Sequence, residues 1–351
     1  MSATATTEAK LTPRRERLTA RSLVITLAIL AVLVVLLAVI ATAVGSERLS
    51  MASVTKILLA EMTGRAADVL PAHQIIVAEI RIPRILMAIV VGGALSVAGA
   101  AYQALLRNPL ADPYILGVST GAALGAILAT IFAESFPVGR PVSAFIGAII
   151  TIAIVYALGQ SRQGSSSSVR LILAGVIVNA FLSSSVIFLV TTAAGSRQRS
   201  VLSWLIGDLS GDTRLLPVVA LFILAGAAII YANARSLNLF MTGEEEALAL
   251  GVEVERVKIT VYFAASLITG AAVAVSGVIG FVGLIIPHVI RLAGGSDNRL
   301  VIPASALAGG AFLLLADTVA RTVISPRELH IGVITALIGA PVFIYLLRRT
   351  S

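Results

Sequence analysis

Apolar runs of membrane-crossing length alternate with short polar connectors along almost the whole chain. The runs lie near 23–44, 85–106, 115–133, 141–159, 171–194, 215–232, 257–276, 281–293, 301–316 and 331–347. Each predicts a helix, because roughly 20 apolar residues rising about 1.5 Å apiece match a hydrocarbon core of about 30 Å. The eighth run is short and holds Pro287, which predicts a kinked helix sheltered by its neighbours. The expected fold is an all-α polytopic membrane protein of about ten transmembrane helices, with both termini in the cytoplasm. Lys10, Arg14, Arg15, Arg17 and Arg21 precede the first run and favour that orientation. Residues 1–21 then form a cytoplasmic tail, and 22–351 a single transmembrane domain. The first run exceeds the ~7–15 residues of a signal-peptide core, so it reads as an uncleaved span despite the loosely peptidase-like Ala41-Thr42-Ala43.

This topology places the connectors 107–114, 160–170, 233–256 and 294–300 in the cytoplasm. It places 45–84, 134–140, 195–214 and 317–330 outside. Further short elements are expected within the connectors. One is an amphipathic helix around Met51 to Leu59, and another an interfacial helix at 200–209 that carries Trp204 at headgroup depth. Ser165 to Ser168 form a polar tract ahead of the fifth span. Gly117, Gly121 and Gly125 recur every four residues on the third span, a small-residue face suited to close helix packing.

The pattern breaks most sharply at the polar insert 241–258, between the sixth and seventh spans. Thr242 is placed to cap a helix, with Glu245 at the reciprocal position of a capping box. Glu244, Glu245 and Glu246 fall in the first turn, where the helix dipole favours anions. Ala247 to Leu250 propagate the helix, and Gly251 suits a left-handed C-terminal cap. A short acidic helix outside the bilayer implies a partner in water.

Composition supports the membrane reading: 58% of residues are hydrophobic and 13% charged, against roughly 45–50% and 25% in soluble domains. The absence of cysteine excludes disulfides and thiolate chemistry. A net charge of +8 would suggest nucleic acid in a soluble chain, but here the basic residues sit in short loops. Roughly 15 of the 26 Lys and Arg fall on the expected inner side and about 11 outside, a modest inside bias that leaves the outer face rich in arginine. No nucleic-acid partner is expected.

Enzyme chemistry is not signalled. The chain has no Gly-x-x-x-x-Gly-Lys-Ser/Thr loop to cradle ATP and no His-Glu-x-x-His. His73, His288 and His330 lack metal-ligand spacing. An ion-coupled carrier would place ionisable residues within the membrane. Asp317 and Arg321 can pair one turn apart near a span end, and His288 and Arg291 lie near another. The middle of the bundle has no carboxylate relay, which disfavours such a carrier.

Ordered motifs then carry a resemblance. They include Arg81-Ile-Pro-Arg84, Gly99-Ala-Ala-Tyr-Gln103, Asn108-Pro-Leu110-Ala-Asp-Pro113, Arg170-Leu-Ile-Leu-Ala-Gly175 and Gly243-Glu-Glu-Glu-Ala-Leu-Ala-Leu-Gly251. They continue in Gly280-Phe-Val-Gly-Leu-Ile-Ile-Pro287-His288, Leu315-Ala-Asp317-Thr-Val-Ala-Arg321, Glu328-Leu-His-Ile-Gly332 and Gly339-Ala-Pro341. Over roughly residues 20–350 the chain resembles the permeases of ATP-binding-cassette importers for ferric siderophores, haem and cobalamin.

The resemblance implies a non-enzymatic subunit of the inner membrane, paired with a second permease copy or a paralogue and embedded in lipid. Two cytoplasmic ATPase subunits would hold ATP and Mg, and this chain would bind no cofactor. An external or periplasmic substrate-binding protein would deliver an iron chelate, with a ferric siderophore expected first and haem or cobalamin as alternatives. Gly243, Glu244, Glu245, Glu246, Ala247, Leu250 and Gly251 would couple to the ATPase. Arg81, Arg84 and Arg321 match external arginines that pair with glutamates of the binding protein. The cytoplasmic gate maps to Asn108 and Leu110 and to Ser168 and Val169, where Val169 departs from the hydroxyl residue often found there. His288 belongs to a motif shared across substrates, which implies packing rather than ligation.

Overall fold

The computed structural model describes residues 19–45, 47, 49–63, 69–132, 139–160, 168–193, 195–211, 213–325 and 327–350. Among them the structure is helical, without strands. In chain order the helices are α1 (Ala20–Ala43), α2 (Met51–Thr63), α3 (Pro71–Ile75), α4 (Ile82–Leu105), α5 (Val118–Phe132), α6 (Gly139–Gly159), α7 (Ser168–Thr192) and α8 (Ser196–Leu205). They continue with α9 (Leu216–Ala232), α10 (Ala234–Phe240), α11 (Glu244–Ala249), α12 (Val254–Ser276), α13 (Val282–Gly294), α14 (Asn298–Thr322) and α15 (Ile331–Thr350).

Among the described residues, seven stretches are long and apolar enough to cross a membrane: Ala20–Ala43, Pro71–Leu105, Gly139–Gly159, Val169–Thr192, Thr213–Ala232, Val254–Ser276 and Asn298–Thr322. These coincide with seven of the ten expected spans. The runs expected at 115–133, 281–293 and 331–347 form shorter apolar helices, as does Met51–Ala60. The chain is thus a multi-pass helical membrane protein.

Two helices form the centre. Most of α4 and α12 is buried, and α4 packs on α14, α12 and α13, while α12 packs on α9, α6 and α5 as well. Both are rich in Ala and Gly, whose small side chains let helices approach without a hydrophobic driving force between them in lipid. By contrast α1, α7 and α9 expose large apolar side chains such as Ile29, Phe181 and Leu221. In a membrane protein such faces meet lipid or another membrane helix.

Several boundaries differ from the sequence pattern for identifiable reasons. The fourth helix begins early: α3 runs through a π-helical turn, Ile76–Arg81, directly into α4. The turn lies just before Pro83, whose ring nitrogen cannot donate to the carbonyl four residues back, so a widened turn absorbs the mismatch. The run expected to end at 316 continues to Thr322, because Asp317 and Arg321 are paired within the helix rather than terminating it. Pro287 does lie inside α13. Gly121 and Gly125 pack on α6, where a Cβ would stand 2.8 Å from the Gly147 carbonyl oxygen and 2.0 Å from that of Ser143, respectively. Gly117 instead precedes α5, so the small-residue face is shorter than expected. The tail 1–18 and Ser165 to Ser167 lie outside the described residues.

Candidate functional site

The insert folds as a tight helical hairpin against the start of α12. Thr242 does not cap α11. Its hydroxyl donates to the Leu239 carbonyl at 2.7 Å and closes α10 instead. Gly243 occupies the N-cap without a side-chain bond, so the expected capping box between Thr242 and Glu245 is absent. What favours the N-terminus is charge, with Glu244, Glu245 and Glu246 all in the first turn. The C-terminus follows expectation more closely. Gly251 has φ +82°, its N–H donates to Leu248 at 2.9 Å, and Val252 N–H donates to Ala247 at 3.0 Å. That pair of bonds is the Schellman closure, which needs a left-handed residue that glycine adopts without penalty.

The two faces of α11 differ. Ala247 is buried in a small apolar cluster with Phe240 and Val254. Glu245, Glu246, Leu248 and Leu250 are exposed. Glu244 turns inward to Lys258 Nζ at 2.7 Å, and Glu255 meets the same ammonium at 3.2 Å. That lysine side chain is only 4% exposed and lies 5.7 Å from the centre of the Phe240 ring. A buried ammonium requires such partners, since an unpaired one would be strongly disfavoured. Lys258 was not singled out from sequence, although the spacing of Glu255 and Lys258 on one helix face was visible there.

Close by, α4 ends in the turn that holds Asn108 and Leu110. Arg107 adopts φ +48°, the Asn108 N–H donates to Gln103, and Asn108 Oδ1 accepts from Leu110 N–H at 2.9 Å. This confirms the Asn-Pro turn and explains it by the side-chain-to-backbone bond. Arg291 of α13 bonds Gln103 Oε1 and the Ala100 carbonyl, bracing the last turn of α4. A cleft of about 430 Å³ separates Arg107 from Thr242 to Glu246. Just past the turn, burial pushes the Asp112 carboxyl up to about 6, partly offset by the Tyr114 N–H it accepts. Leu110 is exposed, and Val169 is exposed on the first turn of α7. Ser168 opens that helix, and its side chain lies outside the described set.

At the opposite end of α4 the three candidate arginines converge, but on internal partners. Asp317 is fully buried; its Oδ1 accepts from Arg84 Nε and its Oδ2 from Arg321 Nε, each at 2.9 Å. Arg84 Nη1 also meets Glu328 Oε2 at 2.7 Å, and Glu328 is the exposed member of the network. Arg81 donates to the carbonyls of Thr42 and Glu47, and Arg321 reaches those of Ala41 and Val44. These guanidiniums therefore cap the carbonyl end of α1, where the helix dipole favours cations. Snorkelling at a span end does not describe them, because all three are buried.

The same arrangement of motifs recurs in known proteins. The profile of the FecCD transport family matches residues 30–349. The chain belongs to the FecCD transport family. Among curated relatives, the ABC transporter permease protein YvrB of Bacillus subtilis is 43% identical over 284 residues, covering 80% of each chain. The cobalamin import permease BtuC of Halobacterium salinarum is 42% identical over 280 residues, covering 78% of this chain and 74% of its own. The hemin transport permease HmuU of Yersinia pestis is 38% identical over 277 residues, covering 77% and 82%. A solved structure described as an inward-facing conformation of a metal-chelate type ABC transporter aligns with a TM-score of 0.79. It is 32% identical and the alignment covers 93% of this chain and 99% of that one. This FecCD member is accordingly a permease of an ABC importer.

Proposed function

We propose that this permease works as one of a pair, homodimeric or with a paralogue, in a cytoplasmic (inner) membrane. Seven long spans plus α5, α13 and α15 would make ten, with both termini in the cytoplasm. The cargo is a metal–organic chelate handed over by an external binding protein, with a ferric siderophore as the first candidate. Relatives named for cobalamin and hemin favour a corrinoid or porphyrin as the second. The observation that carries this reading is the family match across nearly the whole chain.

Energy would come from two ATPase subunits that bind ATP and Mg and press on α11. The exposed Glu245, Glu246, Leu248 and Leu250 form the face they would contact, while Gly243 and Gly251 set the helix ends. A rigid, closed helix transmits displacement that a floppy loop would absorb. Asn108, Leu110, Ser168 and Val169 would gate the route, with Val169 closing it by apolar contact and dewetting. Docking at the other end takes a narrower form than the arginine-rich sequence suggested. The guanidiniums are already engaged, so an incoming glutamate would reach Arg84 by displacing the exposed Glu328.

The test is uptake into vesicles that hold the permease with its ATPase subunits and binding protein. ATP-dependent accumulation of a ferric siderophore, in preference to hemin and cyanocobalamin, is the expected result. Uptake driven by an ion gradient without ATPase would overturn the mechanism. Glu245→Lys combined with Glu246→Lys should leave the permease in the membrane yet separate ATP hydrolysis from uptake.

A further inference from the structure

The structure assigns to Lys258 the transfer of motion from α11 to the gate turn. This rests on the coupling reading above and names the residue that bears the displacement.

Two kinds of contact hold α11 to the bundle. The apolar one is small, comprising Ala247 against Phe240 and Val254 with Leu239 and Val252 at its edge. The polar one is the ammonium of Lys258, held by Glu244 of α11 and Glu255 of α12. Apolar packing is non-directional and tolerates sliding. A buried ion pair is directional, and separating it leaves a charge without a partner. Glu244 is therefore the point at which α11 cannot shift without taking α12 along.

The face of α12 that starts at Lys258 leads to the gate. Tyr262 and Ser266 follow at one-turn spacing and lie on the same side of the helix. Tyr262 meets the Tyr102 ring edge to face with centroids 6.3 Å apart, and the Ser266 and Tyr102 hydroxyls share a hydrogen bond. All three are buried. Tyr102 is in the last turn of α4, and the Asn108 N–H is tied back to Gln103 beside it. A path thus runs from Glu244 to Lys258, along one face of α12 to Tyr262 and Ser266, and across to Tyr102 and the turn bearing Asn108 and Leu110. The rigid face of α12 and the contacts at its two ends make the path testable.

The chain has no cysteine, so Leu110→Cys supplies one reporter thiol on the gate turn. In the assembled transporter in lipid vesicles, labelling of the permease by a maleimide is followed without nucleotide and with ATP and vanadate. The rate should differ about fivefold or more between the two states. Adding Lys258→Met should collapse that ratio toward one while ATP hydrolysis continues. Exchanging all the charges of the cluster, Glu244→Lys and Glu255→Lys with Lys258→Glu, should restore it, which a lysine needed only for packing would not do. If Lys258→Met fails to assemble, Glu244→Gln leaves Lys258 paired with Glu255 and should give an intermediate ratio.

An undiminished ratio in Lys258→Met or Glu244→Gln would overturn the assignment, as would charge exchange that assembles without restoring it. Glu245→Lys with Glu246→Lys tests the parent reading separately. If that pair leaves the ratio unchanged, coupling through α11 itself fails. If it abolishes the ratio while Lys258→Met does not, only the role of Lys258 is lost.

Discussion

Both ends of α4 lie beside a buried charge cluster, and the two clusters are built with opposite polarity. At one end a carboxylate is buried: Asp317 takes Arg84 from α4 and Arg321 from its own helix, while Arg81 and Arg321 reach the carbonyls that end α1. At the other end an ammonium is buried: Lys258 takes Glu244 from α11 and Glu255 from its own helix. The first cluster locks three helices, each at least 24 residues long. The second ties a six-residue helix to one long one. Similar chemistry therefore serves different ends. A network closed on several spans resists displacement, whereas a single hook on a small element transmits it.

The largest effect should come from breaking the closed network. Asp317→Ala would remove the carboxylate that two buried guanidiniums share, leaving Arg84 only the exposed Glu328 and Arg321 only backbone carbonyls, a loss on the order of 3–5 kcal/mol. A lower unfolding midpoint and a smaller monodisperse fraction in detergent would register it. The matching change at the hook, Lys258→Met, should alter coupling far more than stability, because its carboxylates can turn to water. If Asp317→Ala were tolerated and Lys258→Met unfolded the protein, the contrast between lock and hook would be reversed.

A smaller effect belongs to the start of α14. Asp297 caps that helix, accepting from Arg299 N–H at 2.9 Å and from Asn238 Nδ2 at 2.8 Å. The Arg299 side chain, these bonds and its charge hold the Asp297 carboxyl down at about 2. The folded-state value lies below the ordinary 3.8, so the cap's stabilisation is complete above about pH 4 and is lost as pH falls through about 2. Asp297→Ala should cost about 1 kcal/mol at neutral pH. The gap from the parent protein should narrow only below about pH 4, as read by thermal unfolding across a pH series. A gap that widened with acid would show that the cap does not depend on the ionised carboxylate.

How much of this was legible beforehand follows from the physics of each feature. Seven long spans were, because hydrophobic length is a local property, and so was the left-handed role of Gly251. The early start of the fourth helix was hidden, since Pro83 looks like a boundary until a π turn is seen to absorb it. Thr242 misled because two short helices compete for its hydroxyl, and the end of α10 wins. The pairing of Asp317 with Arg321 could be read from one-turn spacing. Its sharing with Arg84, 233 residues away in sequence, could not. Arginines that suggested an open docking face proved to be committed inward, because burial depends on which helices meet, and a linear pattern does not contain that. Lys258 went unnoticed for the same reason: half of its pairing comes from another element.

The smallest predicted effect sharpens the comparison most. One turn-edge from Lys258, Arg256 pairs with Glu253 at 3.1 Å, nearly the 3.2 Å that separates Lys258 from Glu255. Both pairs span three residues at the same helix start, but the Arg256 and Glu253 side chains are 79% and 70% exposed. Water solvates both charges there whether or not they touch, and side-chain entropy opposes holding them together. Arg256→Ala should therefore change stability by about 0.5 kcal/mol or less and leave the ATP-dependent labelling of Leu110→Cys intact. Equal effects of Arg256→Ala and Lys258→Met on that labelling would mean that charge at the start of α12 matters and burial does not. Separation of the two, at matched distance and spacing, would place the coupling in the desolvated contact with Glu244.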